Sequence, residues 1–242
     1  FNYDGKGVTV SWKPTSACTL NHDSTDVDCK FYGSDVVPKA DGNNPQRIQN
    51  GNAQYHLFDG LYDVKISNVN FSYTYSEDDE AFTLCQLSRG SEYTGTYDYS
   101  KARNAELQFL NDGDLTLTNC TFDRVIVSPY ACYGTTDIEK CNFSNVYNAY
   151  AVKDIYSEDA IISGCTFDNC SGGIYFEGNN NKGTYTITNN QFIDMDSFAA
   201  EDKVGERGLV QFSVNGNYSN AVIVIEDNEF NGDTPVFRQL NY

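Results

Sequence analysis

The chain has 242 residues, and its 16 basic against 34 acidic side chains give a formal charge of −18, which repels phosphate backbones and anionic headgroups and argues against nucleic acid as a partner. One Met beside 19 Gly, 18 Tyr and 15 Phe suits strands joined by tight turns better than packed helices. No run of apolar residues is long enough to insert as a membrane helix, and residues 1–10 lack the charged head and apolar middle of a signal peptide.

Residues 1–60 carry weak periodicity, the lone Trp12, and Pro14, Pro38 and Pro45. Within them VTVSW (8–12) reads as a strand, and the segment is expected to supply initial coils and a cap over an open strand edge. Cys18 and Cys29 lie eleven apart in this irregular, charged stretch. A disulfide between them and two free thiols are both compatible with the spacing, and a disulfide would imply an extracellular setting.

At VKISNVNF (64–71) a repeat begins. It returns as LTLTNCTF (115–122), TDIEKCNF (136–143), AIISGCTF (160–167), YTITNNQF (185–192) and VIVIEDNEF (222–230). From Phe71 through Phe122, Phe143, Phe167 and Phe192 to Phe230 the steps are 51, 21, 24, 25 and 38 residues. Five positions before each Phe stands Ile66, Leu117, Ile138, Ile162, Ile187 or Ile225, the inward parity of a strand. That parity switches at Asn68, Asn119, Lys140, Gly164, Asn189 and Asp227, mostly residue types that tolerate left-handed backbone angles, so each octet is predicted to be strand, corner, strand.

Between the octets lie further strand-like runs: AELQFL (105–110), VIVSPY (125–130), YAVKDIY (150–156), GGIYFEG (172–178) and GLVQFSVNG (208–216). Residues 72–104 and 193–207 break the period and read as insertions, and TPVFRQLNY closes the chain as a last partial strand. A repeat of 21 to 25 residues with the same side-chain type recurring at the same place is the signature of a solenoid. Cys120, Cys141 and Cys165 then share one inward column and are expected to be buried free thiols, while Cys170 takes the core slot of Val125, Val146 and Met195.

These octets, with FDNCSGGI (167–174), resemble the right-handed parallel β-helices of the pectin-lyase-like superfamily over residues 60–232. The Phe-x-x-Asn or Phe-x-x-Cys spacing before Gly-Gly-Ile is also similar to repeats of bacterial surface antigens and autotransporter-like adhesins. The resemblance implies an all-β right-handed parallel β-helix, a single domain over residues 1–242 with coils of three stacked strands. Hydrolases of that superfamily carry Asp-Asp, Gly-His-Gly and Arg-x-Lys motifs. This chain has the first only at Asp78-Asp79 and lacks the other two, so no catalytic residue is assigned.

Two candidate sites fall in the first insertion. Glu77, Asp78, Asp79 and Glu80 repel one another, a strain that Ca2+ would relieve, although a solvated acidic loop accounts for the same residues. No cofactor is required by any motif, and Ca2+ is the one ion the cluster suits. Tyr93, Tyr97 and Tyr99, with Glu92 and Asp98, would make an aromatic platform with hydroxyl acceptors against sugar rings, or else pack the insertion onto the barrel.

The expected function is an extracellular or cell-surface module, bacterial and adhesin-like, that binds polysaccharide or a host-surface glycan or protein without catalysis. A polysaccharide lyase or glycoside hydrolase is the alternative, and a structural stalk is the third. Five Asn-x-Ser/Thr sequons, at Asn70, Asn119, Asn142, Asn169 and Asn217, do not establish glycosylation, because an Asn- and Thr-rich repeat generates them by chance.

Overall fold

The structure is a computed structural model. It describes residues 1–12, 19–21, 27–28, 52–56, 62–73, 96–98, 104–109, 111–129, 133–147, 149–154, 157–176, 183–195, 208–212, 220–231 and 237–239. At 12, 19–21, 27–28, 52–56, 96–98, 154 and 237–239 the description is of the backbone alone.

Strand β1 (Asn2–Trp12) opens the chain; β2 (Thr19–Asn21) and β3 (Val27–Asp28) follow, and β4 (Asn52–His56) completes the first coil. The second coil is β5 (Val64–Tyr73) and, after β6 (Thr96–Asp98), β7 (Asn104–Phe109). Five coils of three strands come next. They are β8 (Leu115–Thr118), β9 (Thr121–Asp123) and β10 (Val125–Pro129); β11 (Thr135–Glu139), β12 (Asn142–Ser144) and β13 (Tyr150–Asp154); and β14 (Asp159–Ser163), β15 (Thr166–Asp168) and β16 (Gly172–Phe176). The last two are β17 (Thr184–Thr188), β18 (Gln191–Ile193) and β19 (Val210–Phe212), then β20 (Val222–Glu226), β21 (Glu229–Phe230) and β22 (Phe237–Gln239).

Equivalent strands pair in parallel from coil to coil, which makes the molecule a right-handed parallel β-helix. β20, β17, β14, β11, β8 and the first half of β5 form the first face, and the second half of β5 with β9, β12, β15, β18 and β21 forms the second. β4, β7, β10, β13, β16, β19 and β22 form a separate seven-stranded third sheet. β1 pairs in parallel with β5 from Lys65 to Tyr73, with an irregularity between Asp4 and Val8. Short β2 pairs antiparallel with β3 and β6.

Between the first and second faces the chain turns on one residue with positive φ: Asn68, Asn119, Lys140, Gly164, Asn189 and Asp227, at 52–62°. The parity switch in the octets has this physical cause. A second left-handed column, Arg124, Asn145, Asn169 and Asp194, stands two residues beyond each Phe, where the chain turns toward the third sheet. Amides ladder along both corners. Asn119 Nδ2 donates to Asn68 Oδ1 at 2.6 Å, and Asn169 Nδ2 donates to Asn145 Oδ1 at 2.8 Å.

The interior is built of columns one strand spacing apart. Phe71, Phe122, Phe143, Phe167, Phe192 and Phe230 stack with centroids 4.8–5.2 Å apart and planes within 13° of parallel. Each such pair contributes about 0.5–1.5 kcal/mol beyond its area burial. The column two residues before Phe has a different task. Its side chain donates to the carbonyl of the aliphatic column one coil back: Cys120 Sγ to Ile66, Cys141 to Leu117, Cys165 to Ile138, Asn190 Nδ2 to Ile162 and Asn228 Nδ2 to Ile187. These carbonyls lie just before the corner, where the regular ladder is interrupted, so Cys and Asn recur there as interchangeable donors. Cys120, Cys141, Cys165 and Cys170 are free and buried.

Candidate ligand-binding face

On the first and second faces burial alternates along the strands, as in β8 and β14, so their outer sides meet solvent. The third sheet behaves differently, because every residue of β7, β10 and β19 is buried. Its inward residues are apolar: Leu107 and Phe109, Val127, Val152, Ile174 and Phe176, Val210 and Phe212. The register then aligns the outward residues between them into one row, Gln108, Ser128, Lys153, Tyr175 and Gln211. Gln108, Ser128 and Gln211 are no more than 7 % exposed, so polar groups are enclosed on the outer side of this sheet.

Adjacent side chains complete the row. Gln108 Nε2 donates to Glu106 Oε1 at 3.1 Å, which puts Glu106 on the same side. That is the carboxylate's one hydrogen bond among the described residues, and its side chain is 3 % exposed. The rings of Tyr150 and Tyr175 stack with centroids 5.0 Å apart at 20°, and the Tyr150 hydroxyl donates to Gln211 Oε1. Ser128 Oγ donates to the carbonyl of Lys153 at 3.2 Å, while the Lys153 ammonium meets no carboxylate among the described residues. From Gln108 to Gln211 the row crosses four strand spacings, about 19 Å.

A second group lies on the outer side of the first face. Asp137 and Glu139 are two apart on β11, so both carboxyls point outward. Burial, and then the charge of Glu139, hold the Asp137 carboxyl above the usual carboxylate range, with Lys65 opposing. Asp137 Oδ1 is buried without a hydrogen-bond partner among the described residues.

Of the residues singled out in the sequence, Glu77, Asp78, Asp79, Glu80, Glu92, Tyr93 and Tyr99 lie outside the described residues, as do Cys18, Cys29 and Asn217. Tyr97 and Asp98 belong to β6, whose backbone pairs Leu20 with Tyr97 and Thr19 with Asp98. Sequence reasoning passed over Glu106, Gln108, Ser128, Lys153, Tyr175 and Gln211. Aligning the five inter-octet runs on their apolar residues, as the octets were aligned on Phe, would have displayed the row. Among the described residues no three His, Cys, Asp or Glu side chains converge as metal ligands, and no helix is long and apolar enough to cross a membrane.

The fold and this row define a parallel β-helix protein with a polar, aromatic strip along one sheet. No protein-family model, curated protein or solved structure matches the chain.

Proposed function

We propose that the protein is a glycan-binding β-helix, an extracellular or cell-surface module akin in architecture to the pectin-lyase-like superfamily, which takes a polysaccharide strand along the outer side of the third sheet. The observation that carries this reading is the Tyr150–Tyr175 stack set in one row with Gln108, Ser128, Lys153 and Gln211. The half-buried Tyr150 and Tyr175 rings supply an apolar platform and the half-buried Lys153 ammonium a donor at neighbouring strand positions, close to the length of a sugar ring, while the buried Gln211 and Ser128 hold the Tyr150 hydroxyl and the Lys153 backbone in place. The segments that follow β5 and β18 both connect the second face to this sheet. The first carries Tyr93, Tyr97 and Tyr99 with Glu92 and Asp98, which in this reading add ring and hydroxyl contacts, and Glu77–Glu80, which would hold Ca2+.

Affinity electrophoresis against neutral and acidic polysaccharides tests the proposal. Tyr175→Ala and Lys153→Ala are expected to weaken binding at least about tenfold, a loss of 1.4 kcal/mol, with a cooperative melt retained in both, lowered in Tyr175→Ala by loss of the stack on Tyr150. Unaltered retention of both variants on every polysaccharide that the unaltered chain binds would refute the assignment of the row.

The Asp137–Glu139 pair favours a second reading, a glycoside hydrolase. Two residues apart on one strand, their Cα atoms are about 6.7 Å apart, near the lower edge of the carboxyl separation that inverting enzymes use, and a carboxyl raised above the usual range is shifted in the direction a general acid needs. New reducing ends that vanish in Asp137→Asn would establish it in place of the non-catalytic reading.

A further inference from the structure

The thiols of Cys120, Cys141 and Cys165 repeat one arrangement in three successive coils. Each Sγ lies near the carbonyl two residues earlier in its own coil, that of Thr118 at 3.5 Å, Glu139 at 3.3 Å and Ser163 at 3.4 Å. Each also lies near the carbonyl of the aliphatic column one coil back, that of Ile66 at 3.8 Å, Leu117 at 3.6 Å and Ile138 at 3.5 Å. A sulfur held by the same two partners in every coil is carried onto the next by the step between coils, about 4.8 Å. Cys141 is bonded to both neighbours: its Sγ accepts from Cys120 N at 3.4 Å, and its thiol shares hydrogen bonds with those of Cys120 and Cys165. The three side chains are no more than 1 % exposed. The interior of the solenoid thus contains a line of three sulfurs, bounded by Val69 at one end and Asn190 at the other.

We propose that this column binds copper(I), one ion between Cys120 Sγ and Cys141 Sγ and a second between Cys141 Sγ and Cys165 Sγ. Thiolate sulfur selects soft cations, and the arrangement selects among them. Zn2+ and iron–sulfur clusters need ligands gathered around one centre, whereas these sulfurs lie in line and do not converge. A closed-shell monovalent ion takes two ligands in line, and two metal–thiolate bonds of about 2.3 Å laid end to end span one coil step. A direct S–S bond is less than half as long as that step, and the thiols are free. Charge balances as well. Each copper(I) forms two Cu–S bonds and displaces one thiol proton, which leaves to solvent, with copper and sulfur unchanged in oxidation state. Two ions replace two of the three thiol protons, so the core gains no net charge, the cost that keeps most ions out of such a place. The hydrogen bond from Cys141 already favours the thiolate of Cys120, the form that ligates a metal.

The test supplies copper(I) without oxygen while the reduced full chain refolds from urea, since the folded core covers all three thiols. Bound copper is then counted by competition with a chromophoric copper(I) chelator. The column itself provides variants that keep the fold. Asn190 fills the same slot, donating to the Ile162 carbonyl and accepting from Cys165 N, so Cys141→Asn retains the backbone bonds and removes the shared sulfur. Relative to the unaltered chain, Cys141→Asn is expected to lose two copper ions, and Cys165→Asn one. Cys120→Val, which copies Val69, also loses one, and Cys170→Val, outside the column, loses none. Copper is expected to raise the melting temperature of the unaltered chain by more than that of Cys141→Asn, because the ions bind the folded state. A cooperative melt identifies the folded variants, and the two single-ion variants decide the matter where Cys141→Asn does not fold. Equal copper content in the unaltered chain and the column variants, or a loss in Cys170→Val as large as that in Cys141→Asn, would overturn the proposal.

Discussion

The backbone N–H of Cys165 donates to the side-chain Oδ1 of Asn190 in the next coil at 2.9 Å. Asn190 Nδ2 in turn donates to the carbonyl of Ile162 at 2.9 Å, and the side chain is fully buried. Removing the amide leaves a buried N–H and a buried carbonyl unpaired. Asn190→Ala is therefore expected to cost about 2–3 kcal/mol, read as a lower urea midpoint with unchanged slope. Asn190→Cys should cost less than half as much, because a thiol there can donate as Cys165 Sγ does to Ile138 at 3.5 Å. Equal losses in the two variants would show that the donor does not matter.

The thiols themselves report on the column. Burial pushes Cys170 up to about 12 from its ordinary 9.0. Cys141 is raised well above its usual value by hydrogen bonds with Cys120 and Cys165 and by burial, whereas the hydrogen bond from Cys141 lowers Cys120. In the native protein, alkylation should spare Cys141 and Cys170, with any reaction beginning at Cys120. For Cys170 the folded value lies above the unfolded one, so its stabilisation is complete below 9.0 and is lost as pH rises toward 12. Cys170→Val, which matches Val146 at the same place, is expected to flatten the alkaline fall in unfolding free energy, and identical pH profiles would contradict this.

The fold was largely legible in the sequence because each coil repeats the same physical demands. The Phe column, the aliphatic column and the corner residues recur at fixed offsets, and the corner could be located from Asn, Gly and Asp even though Lys140 stands in it. The second left-handed corner at Arg124, Asn145, Asn169 and Asp194 was passed over, although three of its four occupants are Asn or Asp, the types that bear that angle most easily; only Arg124 hides it. The outward row was missed for a different reason. Gln108, Ser128, Lys153, Tyr175 and Gln211 differ in chemistry, and only the strand register brings them together. Burial of Glu106 was equally hidden, since a carboxylate at an outward strand position reads as solvated.

Lys140 occupies a left-handed corner with φ of 52°, where a side chain with a Cβ meets the backbone at a cost of about 1–2 kcal/mol. Asn68, Asn119 and Asn189 bear that angle more easily, because a short amide can bond locally. Lys140 is exposed, so replacing it disturbs no packing. Lys140→Asn is expected to stabilise the protein by about 0.5–1 kcal/mol, a rise in Tm of about 1–4 °C for a chain of this size. Asn119→Leu should act in the opposite direction, since it also removes the bond to Asn68 Oδ1. Calorimetry of both variants checks the pair of signs, and destabilisation by Lys140→Asn would mean that the lysine itself holds the corner.

Asp137 provides a pH-dependent check on the first face. Its carboxyl lies above the ordinary 3.8, through burial first and the charge of Glu139 second, while Lys65 pulls the other way. A carboxyl raised on folding binds its proton more tightly in the native state. Its favourable contribution is therefore complete below 3.8 and is lost as pH climbs through the raised folded value. Near neutrality the ionised group opposes folding, with Oδ1 buried and unpartnered among the described residues. Asp137→Asn should accordingly melt higher than the unaltered chain near neutral pH and converge with it in acid. Lys65→Ala, which takes away the compensating positive charge, should widen the gap. Thermal melts of the three proteins from about pH 3 to about pH 8 decide the matter, and a difference between the unaltered chain and the Asp137→Asn variant that stays constant across that range would place the effect in shape rather than charge.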